Sequence, residues 1–307
     1  MLWVSPAVTI YICVLTVVLG ACMGSFLNCM AWRIVHGESV LHGRSHCDVC
    51  GHVLGAGDLI PVLSYIMHKG RCKYCGAKLS AGHVFAEVLT ALTFLLLVLK
   101  YDISLQALEY ILLACLLLAA AFTDLEGYMI PDRFIVTGIV VRVVFLFLQG
   151  NVLENLMDAL LGGFAVGGGL LLIVLLYEKV RQKEAMGGGD IKLLFLTGLF
   201  LGWQRNILCL LIACVLGIVF AFIFPEKRTA GDGAEEEDGK LFPWGPSISA
   251  AAILTLLCGS EIIGVYLSLF YRKEQKLYSL TDRDKEESEV SVPCPDKSRH
   301  SILVSAW

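Results

Sequence analysis

Two aspartates stand at the edges of long apolar runs: Asp124 in Ala121-Phe122-Thr123-Asp124 and Asp190 in Met186-Gly187-Gly188-Gly189-Asp190. A carboxylate beside hydrocarbon is costly, and one retained there usually has a function. Two carboxyl groups held close cannot both ionise, so one keeps a proton to donate while the other accepts from water. Paired aspartates hydrolyse a peptide bond by that division of labour. Two unrelated carboxylates solvated at helix ends would leave the same trace. Asp132, after Ile130-Pro131, competes with Asp124 for the catalytic place, although an aspartate beside proline also suits a helix cap. Lys192, two residues past Asp190, either steadies charge there or reaches for the interface along its own stem. Gly187, Gly188 and Gly189 would let the backbone approach an extended substrate; a flexible helix entry is their plainer use.

A second constellation is made of thiols. Of twelve cysteines, eight are scattered, mostly in apolar runs, and behave as small hydrophobes. The other four form two C-x-x-C knuckles, Cys47-Asp48-Val49-Cys50 and Cys72-Lys73-Tyr74-Cys75, each followed by glycine and separated by twenty-one residues. That spacing fits a tetrahedral zinc ribbon, and four thiolates close the shell, so the metal would be structural. Redox-active or unligated thiols are the alternative. His46 and His52 are the neighbours able to replace a thiolate ligand.

The elements that position these groups are membrane helices. The chain has 307 residues, 57% hydrophobic and 17% charged, with a mean hydropathy of +0.73. Such a composition excludes an ordinary soluble domain. The net charge of −4 is segregated into loops, and no basic stripe suits a nucleic acid. Apolar runs long enough to span fall at Trp3–Met23, Val84–Leu99, Leu105–Phe122, Phe134–Leu148, Leu156–Tyr177, Ile207–Phe224 and Ile248–Phe270, with a shorter one at Ile191–Leu201 whose end is blurred by Gly198 and Gly202. No basic segment precedes the first run, so it reads as a retained span. The fold class is an all-α polytopic membrane protein of about eight transmembrane helices with a small cytoplasmic zinc-ribbon-like loop domain.

Basic residues orient the bundle. Fourteen Lys and Arg fall on one side, among them Arg33, Arg44, Lys69, Arg71, Lys179 and Arg181, while the opposite connections hold Lys100 and Arg205. Both aspartates then lie at the cytoplasmic edge. The basic run Arg272-Lys273-Glu274-Gln275-Lys276 conflicts with an eight-span count, which would place it outside. The expected organisation is a first span over 1–23, a cytoplasmic metal-binding loop over 24–83, a membrane-embedded core over 84–271 and a disordered polar tail over 272–307. The acidic stretch from Asp232 to Asp238 reads as a solvated loop. Arg142, midway through the fourth span, needs a partner, with Glu109, Asp158 and Glu261 as candidates. Gly162, Gly163, Gly167, Gly168 and Gly169 give the fifth span a face for close packing.

Taken in order, the motifs resemble the type IV prepilin peptidases, the bifunctional leader peptidase and N-methyltransferase family of GxGD aspartic peptidases. Gly24-Ser25-Phe26-Leu27-Asn28 with Arg33 is similar to the signature at the end of its first span, and the paired knuckles, Pro61-Val62-Leu63-Ser64-Tyr65 and Glu87 follow. Asp124 with Ile130-Pro131-Asp132 resembles the first catalytic block, Gly187-Gly188-Gly189-Asp190-Ile191-Lys192 the second, and Pro243-Trp244-Gly245-Pro246 the turn before the last span. The resemblance covers about residues 20–260. It implies an aspartic endopeptidase in the cell (inner or plasma) membrane, active at the cytoplasmic face, with Asp124 and Asp190 catalytic. Its partners would be type IV prepilin or pseudopilin precursors and membrane lipid, with no nucleic acid. It further implies methylation of the new N-terminus with S-adenosylmethionine as donor, in a region containing Gly24, Ser25, Asn28 and Glu87. No Gly-rich strand–helix motif of a soluble methyltransferase is present. The rival readings are a proton-coupled transporter using the aspartates as relays, a membrane sensor signalling through its cysteine loop, and a peptidase of presenilin-like substrates, which the cysteine loop does not suit.

Overall fold

The computed structural model describes residues 5–40, 43–47, 49–150, 152–182, 186–223 and 243–290. It is helical, with only isolated bridges and no strand among the described residues. The elements are α1 (Pro6–Val35), a 3₁₀ turn (Ala56–Leu59), α2 (Leu63–Met67), α3 (Ala81–Tyr101), α4 (Leu105–Gly127), α5 (Asp132–Gln149), α6 (Val152–Gly163), a π turn (Phe164–Gly168), α7 (Gly169–Arg181), α8 (Gly188–Ile223) and α9 (Gly245–Val290). Two compact units divide the chain, Met1–Ser260 and Glu261–Trp307, and every site discussed below lies in the first.

Local chemistry sets the helix ends. Pro6 opens α1 at a position where a missing N–H costs nothing. Ser80 and Ser104 cap α3 and α4 by accepting the N–H of Gly82 and Ala107. Tyr128 closes α4 in the left-handed region and returns its N–H to the Asp124 carbonyl.

Among the described residues, six helical segments are long and apolar enough to cross a membrane: Pro6–Val35, Ala81–Tyr101, Leu105–Gly127, Val152–Arg181, Gly188–Phe222 and Gly245–Leu269. Within the described residues all eight apolar runs read from the sequence are helical, with ends that differ from those expected. The sixth and seventh are the two helical halves of α8, which meet at Gly202, where the backbone (φ 74°, ψ 171°) is not helical. The fourth is α5, which carries Asp132, Arg133 and Arg142 within eighteen residues and so falls outside the six. The first span does not stop at Met23; α1 continues for about three further turns, so Gly24–Asn28 is helical. The tail expected to be disordered continues α9 as far as Val290, because residues 271–290 are rich in Lys, Arg, Glu and Gln, which have good helix propensity. The acidic stretch Asp232–Asp238 and residues 291–307 lie outside the described residues.

The core gathers around α4, whose Leu113, Ala114, Leu117 and Ala120 are fully buried against α3, α5, α8 and the start of α9. Glycines set the close approaches. A side chain at Gly20 would meet the Ala91 backbone, and one at Gly24 would lie 2.7 Å from the Ala86 carbonyl, so α1 lies directly on α3. Gly162 packs on the backbones of Gly198 and Gly202 in α8, and Gly163 and Gly167 on Phe195. The broken backbone at Gly202 is sheltered by Asn206, which donates to the carbonyls of Gly162 (3.1 Å) and Leu194 (3.2 Å) and accepts from Thr197 (3.0 Å). Irregular backbone at membrane depth survives only with such internal partners.

Candidate active site and cysteine centre

Asp124 lies in the last turn of α4 and Asp190 in the first turn of α8. Asp124 is 6% exposed, and Asp190 lies close enough to feel its charge. The structure thus brings the two sequence-read carboxylates together at one mouth of the bundle. Asp124 Oδ2 accepts the backbone N–H of Gly245, the first residue of α9, at 2.8 Å. The turn Pro243-Trp244-Gly245-Pro246 is legible in the sequence, but the place of Gly245 at the site is not. The glycine within Trp-Gly-Pro was the available signal.

The glycines before Asp190 differ in their surroundings. The Gly187 carbonyl accepts the Asp190 N–H at 3.1 Å, and a Cβ at Gly187 would lie 3.3 Å from Asp190 Oδ2. A Cβ at Gly189 would lie 3.1 Å from Ile130 Cβ, so the second block packs closely on the first, whereas Gly188 faces open space. Asp132 and Lys192 form an exposed ion pair of 2.6 Å across the mouth, from the start of α5 to the start of α8. Lys192 is therefore engaged with Asp132.

The four knuckle cysteines converge, with all four sulfurs within 4.8 Å of one another and Cys47 Sγ 3.9 Å from Cys75 Sγ. Tetrahedral zinc with Zn–S of 2.3 Å needs sulfurs about 3.8 Å apart, so the cluster is compatible with zinc. Backbone hydrogen bonds from Cys75 and Tyr74 lower the Cys72 thiol to about 7, whereas desolvation and the neighbouring sulfurs raise Cys75 to about 11, so Cys72 is the first of this pair to become a thiolate. Neither candidate histidine joins the cluster. The His52 ring packs on Tyr74 with centroids 3.6 Å apart, and His46 Nδ1 lies 3.4 Å from the Arg44 carbonyl.

The remaining sequence-read residues meet where α1 faces α3. Ser25, Asn28 and Glu87 line a cavity of about 220 Å³ beneath the cysteine loop, with Trp32, Tyr65 and Asp58 on its walls. Gly24 sits beside it, against Glu87 Cα. Asn28 Nδ2 pairs with His83 Nδ1 at 2.6 Å, and Glu87 Oε2 accepts the Val62 N–H at 2.7 Å, holding Val62 at φ 59°. A β-branched residue in that region is strained, so Glu87 fixes the loop against its own preference. Asp58, held below the usual carboxylate range by the Gly55 N–H, also accepts from the Tyr74 hydroxyl and pairs with His68 at 3.5 Å. Asp58 and His68 carry no motif of their own and were not singled out from the sequence.

These features define a multi-pass membrane protein with a paired-carboxylate mouth and a separate four-cysteine module. Residues 18–101 match the bacterial peptidase A24 N-terminal domain and residues 111–222 the type IV leader peptidase family. A prepilin leader peptidase/N-methyltransferase of Pseudomonas putida is 31% identical over 281 residues, covering 84% of this chain and 95% of that protein. One from Bacillus subtilis is 30% identical over 255 residues, covering 82% and 96%. One from Myxococcus xanthus is 34% identical over 208 residues, covering 67% of this chain and 61% of that longer protein. No solved structure matches at a comparable level. The chain belongs to the type IV leader peptidase family.

Proposed function

We propose that this protein is an aspartic endopeptidase that removes the leader of type IV prepilin or pseudopilin precursors at the cytoplasmic face and then N-methylates the new N-terminus. The observation that carries the first activity is the placement of Asp124 at the end of α4 and Asp190 at the start of α8 on one mouth of the bundle, where Gly189 packs toward Ile130 and Lys192 pairs with Asp132. One carboxylate takes a proton from the attacking water while the other gives its proton to the departing amine, and the two exchange roles as the intermediate collapses. Gly187, Gly188 and Gly189 keep the approach to Asp190 free of side chains, so an extended substrate backbone can lie against it.

Zinc held by Cys47, Cys50, Cys72 and Cys75 is structural in this reading, because four thiolates leave no open position. For methyl transfer the cavity lined by Ser25, Asn28 and Glu87 suits a methyl donor: Trp32 and Tyr65 put aromatic side chains on its wall, and Asn28 and Asp58 offer polar contacts. S-adenosylmethionine, when bound there, supplies an electrophilic methyl group. The segregation of basic residues to the side of the cysteine loop supports the cytoplasmic placement. The test is cleavage of a synthetic precursor by the purified protein in detergent: Asp124→Asn and Asp190→Asn should each abolish cutting while the protein still accumulates in the membrane. Either variant keeping most of its activity sinks the aspartic mechanism.

A further inference from the structure

The turn before the last helix lies outside both matched segments, which end at residue 222, yet it touches the reacting carboxylate. Its seat is defined at two points. Trp244 packs into a notch in α8 at Gly217, where any Cβ would lie 2.5 Å from the indole Nε1. One residue later, the Gly245 N–H reaches Asp124 Oδ2 at 2.8 Å, in a buried contact between α9 and α4. A Cβ at Gly245 would lie 2.8 Å from Oδ2 and 3.1 Å from Asp124 Cβ and Cγ, so only glycine allows the approach. This N–H belongs to the first turn of a helix, where no intrahelical partner exists, and the next residue, Pro246, has no N–H to offer in its place.

We propose that Gly245 is a positioning residue of the peptidase site. Its N–H anchors Asp124 Oδ2, and Oδ1 is left as the atom that faces the attacking water and Asp190. A backbone N–H only donates, and an ionised or carbonyl-type oxygen accepts it better than a hydroxyl oxygen does, so the contact favours Oδ1 as the atom through which Asp124 exchanges its proton. The assignment rests on the aspartic peptidase reading above. It adds a third wall to the site, so that α4, α8 and α9 must all be seated before water is activated.

The test is the steady-state kinetics of Gly245→Ala on a synthetic precursor. A carboxylate displaced by the new methyl group should lower kcat by about 10²-fold, the effect of a misplacement near 1 Å. KM should stay within about threefold, because remote substrate contacts are untouched, and the acid limb of the pH profile should be displaced. Methyl transfer to a pre-cut peptide should be unaltered, which a merely structural defect would not spare. Gly264→Ala, at a glycine with no atom within 4 Å of its added Cβ, controls for the substitution itself and should cleave as the parent does. If Gly245→Ala fails to accumulate, Asp124→Asn and Asp124→Leu settle the contact by thermal unfolding. Asparagine keeps an oxygen for the Gly245 N–H, whereas leucine strands it, so Asp124→Leu should melt several degrees lower. Parent-like kcat in Gly245→Ala, or equal melting of the two Asp124 variants, overturns the positioning role. Activity in Asp124→Asn or Asp190→Asn overturns the peptidase reading instead.

Discussion

Arg142 Nη1 on α5 donates to Glu109 Oε1 on α4 at 2.6 Å, and Gln149 Nε2 occupies the second carboxylate oxygen at the same distance. Glu109 is 1% exposed, and the guanidinium stacks 5.6 Å from the centroid of Phe200 on α8. The pair therefore joins three helices inside an apolar bundle. Removing one member leaves the other charged and uncompensated, which costs about 3–5 kcal/mol in buried pairs. Thermal unfolding in detergent should show a large loss for Glu109→Leu alone and recovery of most of it when Arg142→Met is added. Equal stability of the single and double variants would remove the pair from the account of the fold.

The break in α8 makes a separate stability prediction. Gly202 adopts φ 74°, and a Cβ there would lie 2.6 Å from Asp158 Oδ2. Gly202→Ala adds to that clash a backbone strain of about 1–3 kcal/mol, since this positive-φ, extended-ψ region is essentially reserved for glycine, and should melt well below the parent. Asn206→Leu should also destabilise, because the carbonyls of Gly162 and Leu194 lose their side-chain donor. A Gly202→Ala variant as stable as the parent would show that the break is not needed for packing.

Metal content tests the cysteine module. Protein purified under reducing conditions should carry about one zinc per chain, and replacing Cys47, Cys50, Cys72 and Cys75 with serine should abolish it. Zinc loading should weaken as the solution is acidified, since each ligand must lose its proton to bind. Elemental analysis that finds no zinc in the parent would dismiss the ribbon.

Cutting and methylation should come apart on mutation. Gly24→Ala presses α1 off α3 at the edge of the cavity, and Glu87→Gln weakens the clamp on Val62, so both should lower methyl transfer more than cleavage. Mass spectrometry of the processed substrate measures the two together: a cut product lacking the mass of one methyl group is the expected result. Variants that fail to cut but still methylate a pre-cut peptide would reverse the proposed division of labour.

Much of this protein follows from its sequence because the governing forces are local. Apolar runs dictate membrane helices whatever their neighbours. Paired C-x-x-C knuckles dictate a thiolate cluster, and the cost of a carboxylate beside hydrocarbon marks Asp124 and Asp190. Long-range packing is what the sequence does not express. Gly202 reads as an ambiguous helix end until its non-helical backbone is seen to separate the two halves of α8, with Gly162 packed against it and Asn206 bonded to the Gly162 and Leu194 carbonyls. Three candidates were available to Arg142, and only the register between α4 and α5 selected Glu109. Asp132 and Lys192 each had a plausible solitary role until the mouth of the bundle paired them. The hydrogen bond from Gly245 to Asp124 crosses 121 residues of sequence, and a backbone N–H has no residue type to betray it. Residue chemistry thus nominated the candidate groups, whereas the tertiary structure decided which oxygen of Asp124 is held, because that depends on how α9 is seated against α4.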